Sequence, residues 1–171
     1  LITTGSANID IGYAALQYVT TGANNVALGH KALEVNTGGN NTAIGTSALD
    51  ANTTASNNTA VGYQSLTANT TGAENTGLGY QAGYALTTGQ ENTFVGGQAG
   101  RAITDGDFNV AVGNLALTAD TLGSRSTAIG TAALYTQNFT SATNAYNTAV
   151  GFYAGLTLTT GVQNTFIGGL A

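Results

Sequence analysis

The stretch NTAVGYQSL, residues 58–66, returns as NTGLGYQAG from Asn75 to Gly83 and as NTFVGGQAG from Asn92 to Gly100. Aligned on the glycine that follows the aliphatic residue, the phrase recurs at Gly12, Gly29, Gly45, Gly62, Gly79, Gly96, Gly113, Gly130, Gly151 and Gly168. The steps are 17, 16, 17, 17, 17, 17, 17, 21 and 17 residues. A constant period of this length marks a stack of one supersecondary unit, because a single unit cannot bury its own apolar face and a stack can. The long step carries an insertion within 135–146, which the period assigns to a loop on one side of the stack.

Within each repeat the residue before the glycine is Ile, Leu or Val, and the residue two before that one is β-branched, from Ile9 and Val26 to Thr42, Thr59 and Thr165. Between them stands Ala in most copies, with Phe94 and Phe166 as bulky exceptions and Asp10 and Gly77 as further departures. Alternation with a period of two predicts a short strand. A second glycine corner follows, as in Thr70-Thr71-Gly72 and Thr87-Thr88-Gly89, so each repeat reads as strand, corner, second strand, corner. Helix is disfavoured by the recurring glycines and by the absence of a 3.6 period. The fold predicted is all-β, a parallel β-solenoid of about ten 17-residue coils in one domain, 1–171. At the usual strand spacing it forms a rod on the order of 45 to 50 Å long.

A trade appears inside the repeats. Where the fourth residue after the glycine is Gly (Gly83, Gly100, Gly155), the seventh is Leu86, Ile103 or Leu158; where the fourth is Leu, the seventh is mostly polar. Close packing predicts that the two positions fill one volume, with Leu66 and Leu86 in the same compartment. The coil is thin and its faces are rich in alanine, so burial within one chain is modest and a covering subunit is expected.

Composition narrows the function. Of 171 residues 42% are apolar and only 6% charged, with no Pro, Cys, Met or Trp, which describes an ordered repetitive chain rather than a disordered one. The net charge of −5, with Lys31, Arg101 and Arg125 as the only Lys and Arg residues, offers no basic stripe for nucleic acid. No apolar run reaches the length of a membrane span and no signal peptide is recognisable. Because the sequence begins and ends inside a repeat, it reads as a piece of a longer protein whose anchoring segments lie elsewhere.

No constellation points to catalysis or to a cofactor. The lone His30 sits where other repeats have Tyr, and with no second His and no Cys it reads as a surface variant. TDGDFN, residues 104–109, lacks the ligand alternation and terminal Glu of a calcium loop and reads as an acidic form of the TTG turn. Two columns could bind a ligand: Tyr13, Tyr63, Tyr80 and Phe152 at one position, and Gln64, Gln81 and Gln98 at the next. Rings matching apolar sugar faces and amides matching hydroxyls would make a carbohydrate-binding strip. The same rings could instead cap the coil edge or fill a subunit interface. The Thr column through Thr70, Thr87, Thr104, Thr121 and Thr159 raises ice binding as a further alternative.

The NTAIG and NTAVG phrases, carried by Asn41 to Gly45, Asn58 to Gly62 and Asn147 to Gly151, resemble the head repeats of YadA-like trimeric autotransporter adhesins and the similar arrays of bacteriophage tail fibres. The resemblance implies a left-handed β-roll and a side-by-side homotrimer with strands near the axis. It further implies an extracellular rod or head, on a bacterial surface or a virion, that contributes to attachment through a host glycan or protein receptor without catalysis. The coil is longer than that of the adhesin heads, Ser126 replaces Asn in the eighth repeat, and no neck or stalk is present.

Overall fold

The computed structural model describes residues 4–171. Ten three-residue strands stack in one parallel sheet: β1 (Ile9–Ile11), β2 (Val26–Leu28), β3 (Thr42–Ile44), β4 (Thr59–Val61), β5 (Thr76–Leu78), β6 (Thr93–Val95), β7 (Val110–Val112), β9 (Thr127–Ile129), β11 (Thr148–Val150) and β12 (Thr165–Ile167). Each pairs with the equivalent strand of the next coil without a register slip, Thr42 with Thr59 and Ile44 with Val61. The chain is therefore a parallel β-solenoid, and no helix long and apolar enough to cross a membrane occurs among the described residues.

The alternation resolves into a definite inside and outside. From β2 onward the middle residue of each strand points inward, and Ala27, Ala43, Ala60, Ala111, Ala128 and Ala149 are fully buried, whereas Asp10 of β1, at the end of the stack, is exposed. The Thr and aliphatic residues on either side point outward. Alanine belongs inside because the coil is only wide enough for a few larger side chains, and those come from the segment after the glycine: Leu16, Leu33, Leu49, Leu66, Leu117 and Leu134.

That segment is not the second strand expected from the sequence. Ser47 (φ 54°) and Leu49 (φ 50°) are both left-handed, as are Gln64 and Leu66 one coil on, and such residues cannot continue a pleat. Two turns close instead, with Ala48 N donating to the Gly45 carbonyl at 3.3 Å and Asn52 N to that of Leu49 at 3.1 Å. The hydrogen bonds between coils continue through them: Ser47 N donates back to the His30 carbonyl and Leu49 N forward to that of Ser65. Among the described residues a short second pair of strands survives only at the far corner, where β8 (Gly123–Ser124) meets β10 (Thr143–Asn144) at the insertion.

The corner glycine has a double requirement. Gly45 lies at φ 134°, a region essentially closed to L-residues, and a Cβ there would run into the carbonyl oxygen of Gly62. The Asn before each strand has its own task. Asn58 N donates to Asn41 Oδ1 at 2.9 Å, and Asn58 Nδ2 donates to the Gly72 carbonyl across the coil at 2.9 Å. Repeated from Asn25 to Asn109, these bonds form a buried amide ladder that ties the start of each strand to the opposite corner. At Ser126 the side chain is too short to span the coil, and Gln137 fills in: its Nε2 donates to Ser126 Oγ at 2.9 Å and its Oε1 accepts from Asn147 Nδ2 at 2.8 Å.

The core trade also differs from expectation. The volume freed by Gly83 and Gly100 is taken by the ring of Phe94, which projects inward from β6 between them, and the ring of Phe166 stands beside Gly155 in the same way. Leu86 lies elsewhere: its Cδ1 faces Gly89 as Asn69 Oδ1 faces Gly72. Leu86 thus replaces an amide of the second corner, and Leu66 and Leu86 serve different parts of the interior.

Candidate functional site

The candidate ligand-binding residues lie on the outer corner just after the strand, where the first residue past the glycine stands clear of the coil. Tyr80 is 53% exposed and Tyr13 78%. Stacking of coils places equivalent side chains about 4.8 Å apart, close to the natural distance between aromatic planes. Tyr63 and Tyr80 use it, with centroids 5.8 Å apart and planes 8° from parallel. Tyr13 stacks instead on His30, at 5.4 Å and 11°.

Beside the rings runs an amide ladder. Gln81 Nε2 donates to Gln64 Oε1 at 2.9 Å, and Gln98 Nε2 donates to Gln81 Oε1 at 3.3 Å. The left-handed backbone at Gln64, Gln81 and Gln98 turns these amides outward in register. The structure therefore brings Tyr63, Gln64, Tyr80, Gln81 and Gln98 into one contiguous strip across three coils. It leaves Tyr13 several coils away with His30, and Phe152 near the opposite end, stacked on Tyr153 at 3.9 Å.

Three residues of this corner escaped sequence reasoning. Arg101 reaches back a coil, its Nε donating to Gln81 Oε1 at 3.4 Å and its guanidinium lying 5.3 Å from the Tyr84 ring centroid. Gly97 stands in the column that carries Tyr63 and Tyr80, so the aromatic stack has a vacancy at that level. Asn114, one coil further, donates from Nδ2 to the Gly97 carbonyl at 3.1 Å. The break in the column at Gly97 was the available signal; the reach of Arg101 and Asn114 was not encoded in the spacing.

The Thr column of the opposite corner is occupied by internal bonding. Thr53, Thr70 and Thr104 each donate from Oγ1 to the backbone carbonyl of the Thr-bearing position one coil on, at 2.9 to 3.2 Å, and the single Thr87 hydroxyl proton has both the Thr104 carbonyl at 3.1 Å and the Asp105 carboxylate at 2.8 Å within reach. Those hydroxyl protons are directed along the rod rather than toward solvent. In TDGDFN the carboxylates are likewise engaged: Asp105 accepts from Thr87 and Thr88, and Asp107 accepts from Gln90 N. No group of three metal-binding side chains occurs among the described residues.

The second conspicuous surface is the outer face of the sheet. Ile11, Leu28, Ile44, Val61, Leu78, Val95, Val112, Ile129, Val150 and Ile167 form one uninterrupted aliphatic rank, partly exposed throughout, with Leu78 at 45%. A parallel rank of Thr, Val and Ile flanks it from Ile9 to Thr165. No family model, no curated protein and no solved structure matches this chain.

Proposed function

We propose that this chain is a rod segment of a trimeric surface fibre, of the bacteriophage tail-fibre or bacterial adhesin type, whose work is mechanical and adhesive rather than catalytic. The observation that carries the reading is the aliphatic rank on the sheet face. A side chain that serves only as a coil exterior has no reason to be Ile, Leu or Val in all ten coils, whereas a face packed against a neighbouring rod does. The rank runs the length of the sheet, so contact between parallel copies would repeat coil by coil and add up along the rod. The identical rise of every coil keeps such a contact in register. Attachment to a host or other surface, outside the cell, is the use to which such a rod is best suited.

Sedimentation equilibrium over a dilution series tests it. The expected mass is about three times the 17.0 kDa chain and independent of concentration in the micromolar range. Replacing Leu78 and Val95 by Lys on the outer face should return a folded monomer. A wild-type chain that is monomeric at all concentrations would overturn the proposal.

A further inference from the structure

We infer that the tyrosine corner of one copy packs against the opposite corner of the next, with the Tyr80 hydroxyl donating to the Glu74 carboxylate across the seam. This rests on the trimer proposed above and names the residues that join its subunits. Three parallel copies that turn one face each toward a common axis meet at the edges of those faces, and the contact is heterologous: one edge of a copy meets the other edge of its neighbour at the same coil level. One edge of the sheet face is the column of Tyr63 and Tyr80. The other stands five residues before each corner glycine, as at Asn57, Glu74, Glu91, Phe108, Arg125 and Tyr146. Every member of this second edge from Asn24 to Gln163 is exposed and left-handed, at φ 50 to 63°. A left-handed corner with no further duty favours Gly or Asn. Glu74, Phe108, Arg125 and Tyr146 hold it against that preference, as Leu66 does for the sake of the core, so their side chains have a use at this edge.

The two edges are complementary coil by coil. Where the second edge carries a large side chain, Phe108 or Arg125, the tyrosine edge of the same coil carries a smaller one, Asn114 or Thr131. Where it carries an acceptor, Asn57 or Glu74, the tyrosine edge carries a phenol, Tyr63 or Tyr80. At the insertion the pair is ring against ring, Tyr146 and Phe152. The members of each pair flank the strand on opposite sides, and the rings at these positions stack only within their own columns or on the next residue, as Tyr63 does on Tyr80 and Phe152 on Tyr153. A match between residues that do not meet inside one chain acts between chains. The valences agree with it: within the described chain the Glu74 carboxylate has no cation or donor, and the Tyr80 hydroxyl has no acceptor. A phenol facing a carboxylate forms a charge-assisted hydrogen bond, which fixes the coil level at which two copies meet.

The chain has no cysteine, so cross-linking on the intact chain tests the seam directly. The double variant Glu74→Cys, Tyr80→Cys, oxidised in dilute solution, is expected to run as a covalent trimer on a non-reducing denaturing gel. Each single variant should run as a monomer, because like edges do not meet. A second measurement needs no new bond. In a fixed concentration of urea, Glu74→Ala and Tyr80→Phe should each raise the concentration at which the trimer is half dissociated by about tenfold, and together by no more than the larger single effect. Sedimentation of the wild-type chain is read separately: a monomer there would remove the trimer and this seam together. A wild-type trimer in which Tyr80→Cys alone gives covalent dimers, or in which the Glu74 and Tyr80 effects simply multiply, would overturn the seam and leave the trimer standing.

Discussion

Asn69 Nδ2 donates to Asn52 Oδ1 at 3.1 Å, yet Asn69 Oδ1 is buried with no donor. The reason lies one coil further: the residue stacked above Asn69 is Leu86, and the short amide ladder that began at Asn36 ends without its last link. An unpaired buried acceptor costs about 1 to 3 kcal/mol.

This arrangement predicts non-additive stability. Asn69→Leu alone transfers the unpaired acceptor to Asn52, and Asn52→Val alone leaves it on Asn69. The double variant removes it, because Asn36 Oδ1 keeps donors from Gly38 N and Asn41 Nδ2. Chemical denaturation of the four proteins is expected to give a favourable coupling of about 1 to 3 kcal/mol. Strict additivity would contradict it.

The insertion hangs on a buried carboxylate. Asp120 is fully buried and accepts from Gly123 N at 3.1 Å, Phe139 N at 3.0 Å and Gln137 Nε2 at 2.6 Å. Asp120→Leu copies the apolar side chain that other coils use at this position but leaves two backbone amides unpaired. We expect a loss of about 2 to 5 kcal/mol, together with faster hydrogen exchange at the Phe139 amide than at the Thr104 amide, which is bonded to backbone alone. Unchanged exchange would show that the loop is held by something else.

Two carboxylates give opposite pH dependences. Hydrogen bonds from Thr88 and Thr87 hold Asp105 below the ordinary carboxylate value of 3.8. It therefore contributes stability that is present above that value and lost as pH falls through the folded-state pKa. Burial, followed by a hydrogen bond with Glu34, pushes Asp50 above the same reference, so its ionisation becomes a penalty as pH rises through the carboxylate range. In melts from pH 2.5 to pH 7, roughly the span of carboxylate titration, Asp105→Asn should flatten the acid fall in Tm. Asp50→Asn should raise Tm more at neutral pH than in acid.

Glycines that look alike in the sequence separate sharply in the structure. Gly45→Ala meets both a forbidden φ and the Gly62 carbonyl, and should cost at least about 3 kcal/mol. Gly97→Ala has no forbidden φ and meets no backbone, only the end of the exposed Asn114 side chain, which would shift from its bond to the Gly97 carbonyl, and should stay within about 1 kcal/mol of wild type. Comparable losses at both sites would mean that the backbone at Gly97 is as constrained as at Gly45.

The sequence by itself determined the period, the strand positions and the parallel register, since a fixed 17-residue step leaves stacked coils no other way to satisfy their backbone. It also placed Tyr63, Gln64, Tyr80, Gln81 and Gln98 in adjacent columns. Three things were decided by the tertiary structure. The segment after the glycine became two turns, because left-handed residues such as Gln64 and Leu66 are held there by hydrogen bonds to neighbouring coils against their intrinsic preference. Alanine went inside and the aliphatic rank outside, because the width of the coil, which no local pattern specifies, decides which face can be filled. The ends of the columns, Asn69 beside Leu86 and Tyr80 beside Gly97, acquired meaning only when residues 17 apart in the sequence became nearest neighbours in space.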